Sequence, residues 1–238
     1  MMMPVAILAG GLATRLRPVT QTIPKSLIEV AGKPFIEHQL EYLHKQGIGS
    51  VVLCIGYLGE MIQEVVGDGS RWDLKVNYSL DGPALLGTGG ALKQALPLLG
   101  RQFLILYGDS YLPIDFAKVQ GAFMDSGRLG LMTVLKNHNQ WDKSNVQYEQ
   151  GHLVEYNKEV INPLMRYIDY GLGALQDRAL NNYPAGQPFD LSQVYNELSL
   201  EKQLAGYEVF ERFYEIGSHQ GIADTQTYLL QQTAKGSI

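Results

Sequence analysis

The stretch AGGLATRLRPVTQTIPKSLIEVAGKP, Ala9–Pro34, comes directly after an apolar run and carries Gly10, Gly11, Arg15, Arg17 and Lys25 in a segment no core could use. The run before it belongs to VAILAG, Val5–Gly10, whose branched apolar residues lack polar alternation and predict a strand buried on both faces. Two glycines at its exit let the backbone turn sharply, and its N–H groups can approach a ligand with no side chain in the way. Arginine grips phosphate oxygens through two donors at once, and a nearby lysine adds charge. That combination suits a polyphosphate. The plainer reading is a turn at Gly10 and Gly11 with basic residues wetting a surface loop.

Outward from this segment, strand and helix alternate. Pro34–Gln46 predicts a helix, with Ile36, Leu40 and Leu43 at helical spacing and Gly47 ending it. VVLCIGY is the next strand, LGEMIQEVVG a short helix and KVNYS a third strand. Thr88–Leu98 follows as a helix, then the strand FLILYGD from Phe103, the helix AKVQGAFMDSG and the strand LGLMTVL. Such alternation predicts an α/β sheet with its site beyond the carboxyl ends of the strands.

After His138 the pattern changes. NVQYEQ and HLVEYNK predict a hairpin about Gly151, and RYIDYGLGAL another apolar strand. LSQVYNELSLEKQL predicts a helix, YEVFERFYEIG a strand region and HQGIADTQTYLLQQ the closing helix. With no internal repeat and no long linker, the chain reads as one domain over 1–238. Residues 1–135 read as the alternating core and 136–238 as a sheet extension that covers part of its site.

Composition excludes several classes. The 238 residues are 45% hydrophobic, enough for one large compact domain that buries about 70% of its unfolded surface without disulfides. A formal net charge of -5 argues against a protein holding long nucleic acid through many phosphates, although a local basic pocket for one anion is compatible with it. Cys54, the only cysteine, sits inside VVLCI and reads as a buried filler in a reducing compartment. No apolar run has the roughly 18 residues of a membrane span, and MMMP lacks a signal peptide's basic flank. Cytoplasmic placement is therefore expected, with no membrane partner. There is no HExxH or paired CxxC for a metal, no GxGxxG for a dinucleotide and no GxxxxGK[ST] of a Walker-type ATPase.

GGLATRLRPVTQTIPKSLIEVAGKPFIEHQL resembles the signature of the sugar-1-phosphate nucleotidyltransferases, GGxGTRLxPxT followed by PKxLxxVxxKP. Ala13 stands where a glycine is usual, and Ser26 where proline or another small residue varies. The resemblance continues through LLGTGGAL, LYGDSY and RYIDYG to FYEIG, and so covers nearly the whole chain. It implies a Rossmann-like three-layer α/β sandwich of the nucleotide-diphospho-sugar transferase (GT-A-like) type, with a mixed, mostly parallel central sheet. GDGSRWDLKVNYS, LLGTGG and the short length resemble bacterial heptose 1-phosphate guanylyltransferases and N-acetylmuramate 1-phosphate uridylyltransferases, and FIEHQLEYLHKQGI and YIDYG favour the former.

The resemblance also implies roles. Leu8, Gly10 and Gly11 match positions near base and ribose, Gly87 a base-contacting glycine, and Asp81 lies where relatives carry an acid near the base. Read alone, GTGG at Gly87–Gly90 is equally a ligand contact or a tight helix entry, and Asp81 could instead stabilise the turn at Gly82-Pro83. Arg15 and Lys25 match residues that neutralise triphosphate. Asp109, at the carboxyl end of FLILYGD, matches the family's metal carboxylate, which suits Mg2+. Glu215 falls where a second, usually aspartate, ligand is expected. Lys158 matches a lysine that meets the sugar phosphate, Tyr170 and Gly171 a segment bordering the sugar, and Asn145 and Glu155 could supply sugar hydrogen bonds. Trp141 could close the pocket or simply pack.

The expected reaction is Mg-dependent nucleotidyl transfer from a nucleoside triphosphate to a sugar 1-phosphate, releasing pyrophosphate. It leans to heptose 1-phosphate guanylyl transfer, with N-acetylmuramate or hexose 1-phosphate uridylyl, thymidylyl or cytidylyl transfer as alternatives. A noncatalytic sugar-nucleotide sensor is the rival from another class, favoured by Glu215 in place of aspartate. Homo-oligomerisation is compatible with the sequence but not legible in it.

Overall fold

The computed structural model describes residues 1–235 apart from Asn139 and Asp142. In chain order its strands are β1 (Val5–Leu8), β2 (Glu29–Val30), β3 (Lys33–Pro34), β4 (Ser50–Ile55), β5 (Lys75–Leu80), β6 (Gln102–Tyr107) and β7 (Ser110–Tyr111). The later strands are β8 (Gly130–Lys136), β9 (Val146–Glu149), β10 (His152–Tyr156), β11 (Tyr167–Gln176), β12 (Leu204–Val209) and β13 (Tyr214–Glu215). The helices are α1 (Phe35–Lys45), α2 (Gly59–Val66), α3 (Gly87–Leu99), α4 (Phe116–Ser126), α5 (Leu191–Leu200) and α6 (His219–Ala234).

One mixed sheet organises the molecule. β5, β4, β1 and β6 lie parallel in that order, β11 adds antiparallel to β6, β8 antiparallel to β11, and β12 parallel to β8. The β9–β10 hairpin joins at the amino end of β11, where Tyr167 pairs with Val146.

Both faces of this sheet are covered, which is why its strands lack polar alternation. Val5 and Ile7 of β1 and Val51, Leu53 and Ile55 of β4 pack with Ile36, Leu40 and Leu43 of α1 and with α2 and α4. Ala6, Val52, Cys54, Phe103 and Ile105 point the other way, onto Leu92 and Ala95 of α3 and Val194 and Tyr195 of α5. Period-2 strands thus feed two helical layers, giving an α/β three-layer sandwich. Residues on both sides of position 135 enter the same sheet.

Helix ends follow local chemistry. Asp115 caps α4 by accepting from the Lys118 N–H at 3.1 Å, and Gly127 in the left-handed region ends it. Asp190 caps α5 and Ser218 caps α6.

Two boundaries differ from the sequence reading. The helix expected over LSQVYNELSLEKQL stops at Leu200, and Lys202 turns left-handed at φ +58°. Leu204 is then free to open β12, which runs beside β8 with Leu204 opposite Gly130. The expected strand region YEVFERFYEIG is the tail of β12, a break, and the separate β13. A helical pattern and a strand pattern met there, and sheet pairing with β8 decided between them.

Candidate active site

Past the carboxyl end of β1 the chain winds through three single 3-10 turns, at Thr14–Leu16, Val19–Gln21 and Lys25–Leu27. Ala13 adopts φ +47°, a conformation glycine takes at less cost, which accounts for the glycine usual there. The Thr20 hydroxyl donates to the Ala13 carbonyl at 2.8 Å and the Tyr57 hydroxyl to the Gln21 carbonyl at 2.9 Å, tying the loop to itself and to the segment that follows β4. The final turn delivers Lys25, whose ammonium donates to Asp109 Oδ2 at 2.8 Å.

That pair stands in a cavity of about 240 Å³. Leu8, Gly10 and Gly11 from the exit of β1, Lys25 and Ser26, Asp81, Gly87 and Thr88, and Tyr107 to Asp109 from the end of β6 all line it. Leu8, Gly10, Gly11, Lys25, Asp81, Gly87 and Asp109 therefore share one space. Gly10 allows close approach, since an added Cβ would sit 3.1 Å from the Gly56 nitrogen and 3.3 Å from Asp81 Oδ2. Asp81 is buried, which pushes its carboxyl above the usual range, although the Leu86 N–H donates to it at 3.3 Å. Cys54 is the expected buried filler, its thiol pushed up to about 12 by burial, and it also floors the cavity.

The glycines that open α3 share one neighbour. Gly87 and Thr88 line the cavity, yet a Cβ added at Gly87 would meet the Phe189 carbonyl oxygen at 2.6 Å, beside Gly89 and Gly90, which face the same chain at residues 187–190. The N–H groups of Gly89 and Gly90 both donate to the Phe189 carbonyl, at 3.0 and 3.3 Å. The start of this helix is thus committed to protein in two of its first donors.

Glu215 reaches the site by strand pairing. β13 runs antiparallel to β7, Glu215 lies opposite Ser110, and the Ile216 N–H donates to the Asp109 carbonyl at 2.9 Å. Its carboxylate accepts from the Gly217 N–H and from the Ser218 hydroxyl, the latter at 3.1 Å. Arg15 is exposed and approaches the same corner, for a Cβ added to Gly217 would meet Arg15 Nη2 at 3.4 Å.

The residues expected on the sugar side are distributed differently. Asn145 accepts from the Asp169 N–H at 3.2 Å, and Glu155 accepts from the Asn162 amide at 3.1 Å, so both side chains are engaged within the protein. Tyr170 is buried in the core, its ring 5.9 Å from Phe213 and its hydroxyl without a partner among the described residues. Its neighbour Asp169 faces the other side of β11, as successive strand residues do. Trp141 packs on Phe213 at 5.2 Å and under Arg212.

Asp169 was not singled out from the sequence, although a lone carboxylate in the apolar strand YIDYGLGAL was a signal. Burial pushes its carboxyl up to about 6, against the Gly171 N–H and the charge of Lys158. Its field acts on Tyr107, a cavity residue, whose hydroxyl burial holds well above the usual range. Lys158 is exposed, and its charge also acts on Asp190. Gly171, at φ +113°, lies by Ser110, whose Oγ an added Cβ would meet at 3.8 Å.

Two hard-oxygen carboxylates flank one strand pairing, Asp109 just before β7 and Glu215 at the end of β13, with Lys25 on the first and Arg15 near the second. This donor set fits Mg2+, which needs one or two carboxylates and takes its remaining ligands from phosphate and water. Among the described residues no third His, Cys, Asp or Glu joins them.

The superposition with solved structures gives the class. HddC from Yersinia pseudotuberculosis, complexed with GMP-PN, matches with a TM-score of 0.79 over 96% of this chain and 100% of that one, at 24% identity, and establishes an α/β Rossmann-like fold. The chain belongs to the nucleotidyl transferase family, whose model matches residues 5–144. A D-glycero-alpha-D-manno-heptose 1-phosphate guanylyltransferase of Campylobacter jejuni is 30% identical over 89% of this chain and 93% of its own length. An N-acetylmuramate alpha-1-phosphate uridylyltransferase of Neisseria meningitidis is 44% identical over 48% of this chain and 50% of that protein. No helix among the described residues is long and apolar enough to cross a membrane.

Proposed function

We propose that this protein transfers a nucleotidyl group from a nucleoside triphosphate to a sugar 1-phosphate, with release of pyrophosphate. The observation that carries the reading is the single cavity in which Gly10, Gly11, Lys25 and Asp109 converge. The glycines leave room for the nucleotide, and Lys25 and Arg15 offset triphosphate charge as it shifts toward the leaving group. A sugar-phosphate oxygen attacks the alpha phosphorus in line; being anionic already, it needs no histidine base. Lys158 orients the acceptor phosphate. Asp109 and Glu215 would hold Mg2+, which supplies Lewis-acid charge to the phosphate oxygens. We place the reaction in the cytoplasm, a reducing compartment that suits the free, buried thiol of Cys54.

The finer reading is guanylyl transfer to a heptose 1-phosphate, and Asp81 favours it. An ionised carboxylate accepts and cannot donate. Guanine presents adjacent N–H donors at N1 and N2, whereas uracil sets one N–H between two carbonyl oxygens that a carboxylate would repel. Uridylyl transfer is the second reading, motivated by the Neisseria relative.

A matrix of nucleoside triphosphates and sugar 1-phosphates, read by pyrophosphate release, tests both. GTP with a manno-heptose 1-phosphate should lead; turnover unchanged in excess EDTA, or absent for every pair, would sink the mechanism. Asp109→Asn should lower turnover by at least about a hundredfold. Its thermal unfolding should move little, since the ion pair with Lys25 is partly solvated. Asp81→Asn should lower the GTP-over-UTP preference by on the order of tenfold.

A further inference from the structure

Thr88 and Tyr107 line the candidate cavity, and each lies within reach of a carboxylate from the second half of the chain. Asp169 stands on the face of β11 opposite Ile168 and Tyr170, which pack with α1 and α4, and so on the face that carries α3 and α5. Its field acts there on Tyr107 and on Tyr195 of α5. Asp190 caps α5, where its Oδ1 accepts from the Ser192 N–H at 2.8 Å. Its carboxylate also accepts from the Thr88 hydroxyl, whose oxygen accepts in turn from the Leu191 N–H at 2.8 Å.

The two carboxylates act on one place. The fields of both reach the hydroxyls of Tyr107 and Tyr156, and the charge of Lys158 acts on both. Solvent reaches all three charged groups, since Asp169 is half-buried and Asp190 and Lys158 are exposed. The Gly171 and Ser192 N–H groups occupy one oxygen of each carboxylate, which leaves each with further acceptor capacity. Two acids thus share one cation at the edge of the cavity.

We infer that Asp169 and Asp190 set the class of acceptor: they select a neutral sugar 1-phosphate, whose ring hydroxyls donate to them, and reject one whose ring carries a carboxylate. The inference rests on the reading in which Lys158 orients the acceptor phosphate, because that contact brings the sugar ring beside both acids. A hydroxyl donates to an ionised carboxylate, whereas a second carboxylate has no proton to offer and is repelled, the more so where solvent is partly excluded. With the shared cation drawn to the phosphate, nothing about Lys158 offsets that repulsion. A heptose 1-phosphate carries no charge beyond its phosphate; N-acetylmuramate 1-phosphate adds the carboxylate of its lactyl ether.

Calorimetric titration of N-acetylglucosamine 1-phosphate and N-acetylmuramate 1-phosphate into the full chain, with Mg2+ present, tests this on a pair that differs only in the lactyl group. The former should bind at least about tenfold more tightly, and conversion of the lactyl carboxylate to its amide should recover most of the difference. The double variant Asp169→Asn/Asp190→Asn keeps an acceptor for the Gly171 and Ser192 N–H groups. It should narrow the gap by about tenfold without lowering the unfolding temperature, and each single variant should narrow it in part. Equal affinity, tighter binding of N-acetylmuramate 1-phosphate, no binding of either, an amide bound as poorly as the acid, or a gap unchanged in the double variant would each overturn the inference. Pyrophosphate release separates it from the transfer reading. The binding pattern with no release from any triphosphate would leave sugar selection standing and sink transfer; release with equal kcat/KM for the two acceptors would do the reverse.

Discussion

Asp169 is a carboxylate held in a strand whose neighbours are apolar, and Lys158 is the charged group whose field acts on it. Its carboxyl is pushed up to about 6 from an ordinary value near about 3.9, so the folded chain binds this proton more tightly than the unfolded chain. Protonated, Asp169 fits its surroundings; ionised, it costs stability. Its contribution is thus most favourable below about pH 4, is lost as pH rises through the window up to about 6, and stays lost above. Asp169→Asn keeps an acceptor for the Gly171 N–H, which now donates to Asp169 Oδ1 at 3.0 Å. Denaturant unfolding across pH 4–7 should show the variant without that decline, and more stable than the parent at pH 7 by on the order of 2 kcal/mol. Parallel profiles for the two proteins would contradict this. A tight ion pair with Lys158 would give the opposite sign, and the structure has only a longer-range field there.

At the scale of elements, the start of α3 shows what a motif does and does not carry. GTGG was legible as a place needing small residues, but the identity of what approaches it was not. Gly87 and Thr88 line the cavity, and Gly87, Gly89 and Gly90 all abut the chain at 187–190, about a hundred residues away in sequence. A methyl group at Gly90 would lie 2.7 Å from the Gln187 carbonyl oxygen, so backbone must move. Gly90→Ala should therefore destabilise by about 1–3 kcal/mol in chemical denaturation, outweighing its better helix propensity. A variant as stable as the parent would mean that the 187–190 segment yields freely. The β7–β13 pair makes the same point: each strand is two residues long, too short for any sequence pattern, yet it brings Glu215 to Asp109.

For the molecule as a whole, net charge and local charge have opposite signs. The chain carries -5, but the corner between β1 and β13 holds Arg15 and Lys25. A triphosphate is drawn by the local field against the repulsion of the total, and salt screens the exposed part of both. With nucleotidyl transfer as proposed, KM for the triphosphate should rise several-fold between low salt and about 0.3 M while turnover number changes much less. A KM indifferent to ionic strength would place the triphosphate away from this corner.

The sequence by itself determined the strand–helix alternation, the two-sided burial of the parallel strands and the position of Gly10, Gly11 and Asp109 at strand exits. These are local properties: side-chain period, branching and glycine freedom act within a few residues. Tertiary structure alone decided that Leu204 pairs with β8 instead of extending α5, that the field of Asp169 reaches Tyr107 while Tyr170 packs in the core, and that the α3 glycines Gly87, Gly89 and Gly90 abut a distant segment. Each depends on contacts between segments far apart in the chain, where burial and hydrogen-bond pairing override what neighbouring residues prefer.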